Sequence, residues 1–224
     1  QLGIYGAASK IAMIMAMITQ AFRYAYEPFV FGKAKENDNR DTYAKAMKFF
    51  VVFTLLAFLV VVGYLDLLKH IIGKDYWAGL KVVPIVMAAE IMMGVYFNLS
   101  FWYKLIDKTI WGACFSGIGC AVLIVINVVF VPHYGYMACA WAGLAGYGTA
   151  MLLSYFIGQK YYPIDYPLFD IAKYLLLAVG IFGLMTFVNS SLGTLASVLV
   201  NTVLIGVFMA FLVKNDFPLS SLPI

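Results

Sequence analysis

Seven long apolar stretches, separated by short polar clusters, set the pattern of this chain. They run near residues 4–31, 46–64, 79–102, 109–131, 133–158, 171–188 and 192–213. Each is close to the roughly 20 residues that carry a helix across about 30 Å of hydrocarbon. Runs such as Phe49-Phe50-Val51-Val52-Phe53-Thr54-Leu55-Leu56 are apolar on every face. A barrel strand would alternate apolar and polar residues, so the pattern predicts helices. The expected fold class is all-α, a polytopic transmembrane helical bundle that residues 1–224 form as one unit.

Composition removes the alternative of a water-soluble domain. Hydrophobic residues fill 64% of the 224 positions and charged residues 12%, against roughly 45–50% and about 25% in soluble domains. The 15 basic and 11 acidic side chains are too few to coat a soluble surface. The net charge of +4 is explained by where the basic residues fall, which makes it a topology signal and not a nucleic-acid footprint. Lys33, Lys35, Arg40, Lys45, Lys48, Lys104, Lys108, Lys160, Lys173 and Lys214 flank one end of the predicted spans, and only Lys69, Lys74 and Lys81 flank the other. By the positive-inside rule the chain should begin outside and end in the cytoplasm. Tyr76, Trp77, Trp102, Tyr103, Trp111, Tyr161 and Tyr162 sit at span ends, where an interfacial aromatic belt is expected. The sequence opens at Gln1, almost inside a hydrophobic segment, and reads as a fragment of a longer chain.

Chemistry of the soluble kind is absent from the motifs. There is no phosphate-cradling glycine loop, no paired His at zinc spacing and no Cys-x-x-Cys, so neither cofactor, metal nor enzymatic activity is expected. Cys114, Cys120 and Cys139 fall within spans, where a buried inert thiol is usual. His70 and His133 lie near span boundaries as interfacial side chains. Asn189-Ser190-Ser191 matches a glycosylation acceptor formally, and a single match of three residues carries little.

The polar residues inside the spans are the informative ones, because a charge at bilayer depth costs about 2.5–3.5 kcal/mol on insertion scales. Gln20, Arg23 and Glu27 follow at intervals of three and four and so share one helical face, within reach of each other. They form either a structural ion pair or part of a substrate or coupling-ion path. Pro28 follows, where a bend is expected. Lys10, nearer the opposite end, either snorkels or faces a cavity. Glu90, between Pro84 and Gly94, has no basic neighbour in its own helix, so it is protonated, hydrated or paired with another helix. Asn98 and Phe97 lie about two turns further on roughly the same face. Asn127 reads as an interhelical hydrogen-bonding residue, and the run Trp141-Ala142-Gly143-Leu144-Ala145-Gly146-Tyr147-Gly148 as a close-packing surface.

Leu2-Gly3-Ile4-Tyr5-Gly6-Ala7-Ala8-Ser9-Lys10-Ile11-Ala12 and Gln20-Ala21-Phe22-Arg23-Tyr24-Ala25-Tyr26-Glu27-Pro28-Phe29-Val30-Phe31 resemble the oligosaccharide flippases of bacterial polysaccharide biosynthesis. These exporters of lipid-linked O-antigen and capsule units share a superfamily with the MATE multidrug exporters. The run from Asn127 to Ala142, with Pro132 and Gly135, is similar to the family's N-x-x-x-I-P-x-x-G-x-x-G-A-A-x-A-T pattern, from which Met137-Ala138 and Trp141 depart. The resemblance implies one lobe of a two-lobe, MATE-like transporter. This sequence would be the carboxy-terminal half, partnered by an amino-terminal bundle of the same protein in the bacterial cytoplasmic membrane. It implies alternating access for an undecaprenyl-diphosphate glycan serving lipopolysaccharide or capsule assembly. Arg23, Lys10 and Gln20 would then bind substrate, with Arg23 and Lys10 on the diphosphate. Glu27, Glu90 and Asn98 would pair charges or couple transport to a proton or sodium gradient. A cation-coupled drug or metabolite antiporter and a non-transporting scaffold of glycan assembly are the alternatives.

Overall fold

The computed structural model describes residues 2–33, 40–191 and 193–216, and among these the regular structure is entirely helical. Helix α1 is Leu2–Lys33, α2 Arg40–Gly63 and the short α3 Leu65–Leu68. Two 3-10 segments follow, Lys69–Ile71 and Lys74–Val82. Then come α4 (Val83–Leu99), α5 (Phe101–Leu105), α6 (Ile110–Tyr134), α7 (Tyr136–Tyr161), α8 (Leu168–Ser191) and α9 (Thr194–Asp216). Seven of the helical stretches are long and apolar enough to cross a membrane, one for each predicted span, and the chain is a multi-pass membrane protein.

The span boundaries shift for local reasons. The third crossing is a composite of the second 3-10 segment, α4 and α5, and it breaks at Ser100, whose Oγ donates to the Phe97 carbonyl at 2.6 Å. Helix α6 runs past Pro132, and the break before α7 falls at Gly135, not between Val131 and His133. A proline near a helix end removes one backbone bond, whereas reversing the chain here needs the positive φ of 59° that glycine adopts without a Cβ clash. Helix α1 likewise carries through Pro28.

Helix α4 is the hub, packed against α1, α2 and α7, while α2, α8 and α9 pack on one another and α6 packs chiefly on α7. Lipid tails are as apolar as the side chains, so close approach of small residues has to hold such helices together. The glycine-rich stretch of α7 does this: a Cβ on Gly146 would stand 2.8 Å from the Gly119 carbonyl oxygen of α6, and one on Gly119 would stand 2.8 Å from that of Gly146. Gly158 faces Trp102 in the same way, with Nε1 2.8 Å from a built Cβ.

The ends of the bundle sort by charge. Glu27 meets Lys104, Arg40 donates to the Pro163 carbonyl at 3.2 Å, Lys48 bonds to both Asp170 and Asp216, and the Lys108 ammonium sits 4.7 Å from the Tyr161 ring centroid. The basic flanks predicted to share one side therefore meet at one end; the Lys33 side chain and Lys35 lie outside the described residues. At the other end Asn201, 1% exposed, donates to the Gly63 carbonyl at 2.8 Å and to Asn189 Oδ1 at 3.0 Å. This satisfies an orphan carbonyl at the end of α2 and engages the asparagine of the formal glycosylation match.

The aromatic belt needs correction. Trp102 and Tyr103 are 2% and 6% exposed. Trp102 lies parallel to Tyr161 at 6.0 Å, and its Nε1 donates to Ser154 Oγ at 3.3 Å. These residues form an internal core at the cation-rich end, packed with Tyr96, Phe115 and Ala150. The cysteines also differ from expectation, Cys114 and Cys120 being exposed on α6 and Cys139 half-buried.

Gly146→Ala should destabilise the bundle by about 1–3 kcal/mol, the usual range for overpacking, because the clash is with backbone and both helices must move. Gly117→Ala, on the open side of α6 with nothing within 4 Å, should be neutral. Reversible unfolding of both variants in mixed micelles measures the difference.

Candidate functional site

Two polar groups stand inside the bundle, and α1 contributes to both. The pattern of α1 explains how. Ala8, Ile11, Ala12, Met15 and Thr19 are buried, a spacing that turns one face onto α2 and α4. The opposite face, with Lys10, Met13, Met17, Gln20 and Tyr24, is exposed, Met17 and Tyr24 at 68% and 73%. Lys10 has no charged partner among the described residues. Hydrocarbon is a poor solvent for an ammonium and an amide, so this face requires water, headgroups or a protein partner.

At the edge of that face lies the first group. Arg23 Nε donates to Glu27 Oε2 at 3.4 Å, as the spacing predicted. Lys104 Nζ donates to Glu27 Oε1 at 2.7 Å from α5. The Arg23 guanidinium carbon also lies 4.5 Å from the Phe97 ring centroid. Sequence reasoning missed Lys104, which sits 77 positions from Glu27. The available signal was that both residues occupy the same predicted end of their spans. Two cations share one carboxylate, so the group keeps a surplus positive charge. Arg23 engages Glu27 only through Nε, and its terminal Nη groups keep their donors for an oxyanion. The side chains are 34% (Arg23), 27% (Glu27) and 26% (Lys104) exposed, accessible without lying in open solvent.

Lys10 does not join this group. The helix between Lys10 and Arg23 is continuous and about 20 Å long, so one diphosphate cannot touch both. Gln20 stands one turn from Arg23 on the same edge.

The second group surrounds a cavity of about 400 Å³ between α1, α4, α6 and α7. Glu90 lines it with Tyr5, Asn127, Cys139 and Tyr147, and no Lys, Arg or His does. Of the readings left open for Glu90, pairing with a cation of another helix is removed, since no Lys, Arg or His among the described residues stands beside it; the cavity fits a protonated or a hydrated carboxyl. Asn127 does not serve as interhelical glue, since its Oδ1 is shielded and has no hydrogen-bond donor. Asn98 does not join Glu90 either. Its Nδ2 turns back to the Gly94 carbonyl at 3.0 Å, while Phe97 goes to Arg23. Residues two turns apart on a similar face thus go to different partners here.

Comparison with protein-family models, curated proteins and solved structures returns no match. Among the described residues no group of three or more His, Cys, Asp or Glu side chains converges.

A third feature is an apolar groove of about 460 Å³ between α2, α4, α7 and α8, with Val51, Val95, Tyr155, Ile171 and Val179 in its walls. Burial pushes the Tyr166 phenol at its cation-rich end far above the ordinary tyrosine value, so it remains neutral there.

A double-mutant cycle on Glu27→Gln and Lys104→Met should give a coupling of about 0.5–1 kcal/mol, the range for a partly exposed ion pair. Unfolding of the two single variants and the double variant in mixed micelles measures it, with additive effects as the contrary result.

Proposed function

We propose that this chain is one lobe of a flippase that moves a lipid-linked oligosaccharide, an undecaprenyl-diphosphate glycan, across the bacterial cytoplasmic membrane for surface polysaccharide assembly. Arg23 carries the reading. Its guanidinium is oriented by Glu27 and Phe97, Glu27 is itself held by Lys104, and the surplus charge stands beside an exposed face of α1, with Lys10 and Gln20 among Met13, Met17 and Tyr24, that no described element covers. A planar, permanently charged fork of this kind pairs with phosphate oxygens bidentately. Lys10 and Gln20 place two polar groups along the same exposed face toward the other end, which suits a cargo that travels between leaflets. The groove lined by Val51 and Ile171 suits the hydrocarbon part of such a cargo. An amino-terminal bundle of the same protein would complete the path along α1, and alternating access would follow from rocking the two lobes. The cationic end, with Lys48, Lys104 and Lys108, would face the cytoplasm. A drug antiporter would also use the Glu90 cavity, but the surplus cation at Arg23 favours an anionic cargo.

Arg23→Ala in the intact protein should reduce surface polysaccharide at least about tenfold while leaving insertion unchanged, since a charge-assisted bond is worth about 1.5–3 kcal/mol. Arg23→Lys should retain part of the activity, as a point charge without the fork. Normal glycan display by Arg23→Ala at wild-type expression removes Arg23 from the mechanism.

A further inference from the structure

We infer that the connection between α2 and α4, residues 65–82, is an in-plane membrane anchor that seats Leu67 and Ile71 among the lipids of the bilayer surface opposite the cation-rich end. The inference goes beyond the cargo reading and does not depend on it.

Length places the segment. The third crossing is 32 residues long, against the roughly 20 that a span requires. Helices α4 and α5 already reach across about 30 Å of hydrocarbon at about 1.5 Å per residue, so the 3-10 turn Lys74–Val82 is surplus to the crossing. Contacts fix its level. A Cβ on Gly79 would stand 2.6 Å from the Ile4 carbonyl oxygen near the start of α1, and the Tyr136 hydroxyl at the start of α7 donates to the Ala78 carbonyl at 3.2 Å. With α2 ending at Gly63, three helix ends meet this segment, and it lies across the end of the bundle.

The side-chain pattern selects lipid over water. Leu65, Leu68 and Ile72 pack against the buried cluster that holds Ala8, Val61 and Val82. Leu67 and Ile71, one turn apart, are instead 49% and 78% exposed. The segment therefore has apolar residues on both faces, where a connection bathed only in water would turn a polar face outward. Lys69 is held by Asp66 at 2.7 Å, whereas Lys74 and Lys81 are exposed and form no ion pair among the described residues. Free ammonium groups beside exposed apolar side chains match a layer of lipid phosphates over acyl chains.

The backbone meets the same condition, because polar groups that dip below the headgroups need partners within the chain. Leu67 and Leu68 N–H donate to the Tyr64 carbonyl, Ile72 N–H to that of Lys69 and Tyr76 N–H to that of Gly73. Trp77 Nε1 donates to the Lys69 carbonyl at 3.0 Å and to that of Ile72 at 3.4 Å, which ties the two 3-10 turns together.

The test is electron paramagnetic resonance of nitroxide labels on Leu67→Cys and Ile71→Cys. The full chain carries Cys114→Ala, Cys120→Ala and Cys139→Ala and sits in vesicles of phosphatidylcholine and phosphatidylglycerol. Relaxation by oxygen, which concentrates among acyl chains, is compared with relaxation by a water-soluble nickel chelate. Leu176→Cys, on the exposed side of α8, supplies the acyl reference, and Asp165→Cys, in the connection after α7, the aqueous one. Both labels should favour oxygen and report a depth of about 5–10 Å below the phosphates, the level of an interfacial anchor. Thermal unfolding of each variant confirms that it is folded, and the second position serves if one variant fails to insert. Nickel access equal to that at Asp165 overturns the inference, since the segment would then face water. Shielding from both reagents overturns it as well, since protein would then cover these side chains. Neither outcome touches the export phenotype of Arg23.

Discussion

The structure depends on one constraint: a polar group in hydrocarbon has no water to turn to, so the bundle itself must provide a partner. Most interior groups obey it locally. Thr54 Oγ1 bonds back to the Phe50 and Val51 carbonyls, and Thr149 Oγ1 to that of Ala145. Others obey it across helices, as Asn201 does at the end of α2 and Lys48 does with Asp170 and Asp216. These contacts tie α8 and α9 to α2 without any soluble-style core to drive them together.

Against that background the unsatisfied groups stand out. Lys10 and Gln20 lie on an open face of α1, Glu90 faces a cavity with no cation beside it, and Asn127 keeps an idle carbonyl. Arg23 is a middle case, since Glu27 holds it while Lys104 takes over much of the carboxylate. Charge balance then leaves the arginine available. The two sites are separate in kind: one presents surplus positive charge beside a face, the other presents a single negative charge inside a cavity. Helix α1 runs through both environments.

Much of the architecture was legible in the residues. Seven apolar runs became seven crossings, the spacing of Arg23 and Glu27 became a contact, and the glycines of the fifth span became the seam with α6. Periodicity and spacing act over a few turns, and one helix is enough to express them. The errors arose where neighbours decide. Trp102 looked interfacial by its place in a span, yet it packs inward among Tyr103, Phe115 and Tyr161. Asn98 shared a helical face with Glu90 on paper, yet it bonds to its own backbone at Gly94.

The sequence by itself determined the solvent, the number of crossings and which span ends collect cations. These follow from hydropathy, length and charge, and each is additive along the chain. Only the tertiary structure decided that Lys104 completes the Arg23 and Glu27 pair, and that Tyr5, Glu90, Asn127 and Tyr147 surround one cavity. Such groupings join residues on different helices. Their distances depend on which small residues let the helices approach, and no period along the chain encodes that.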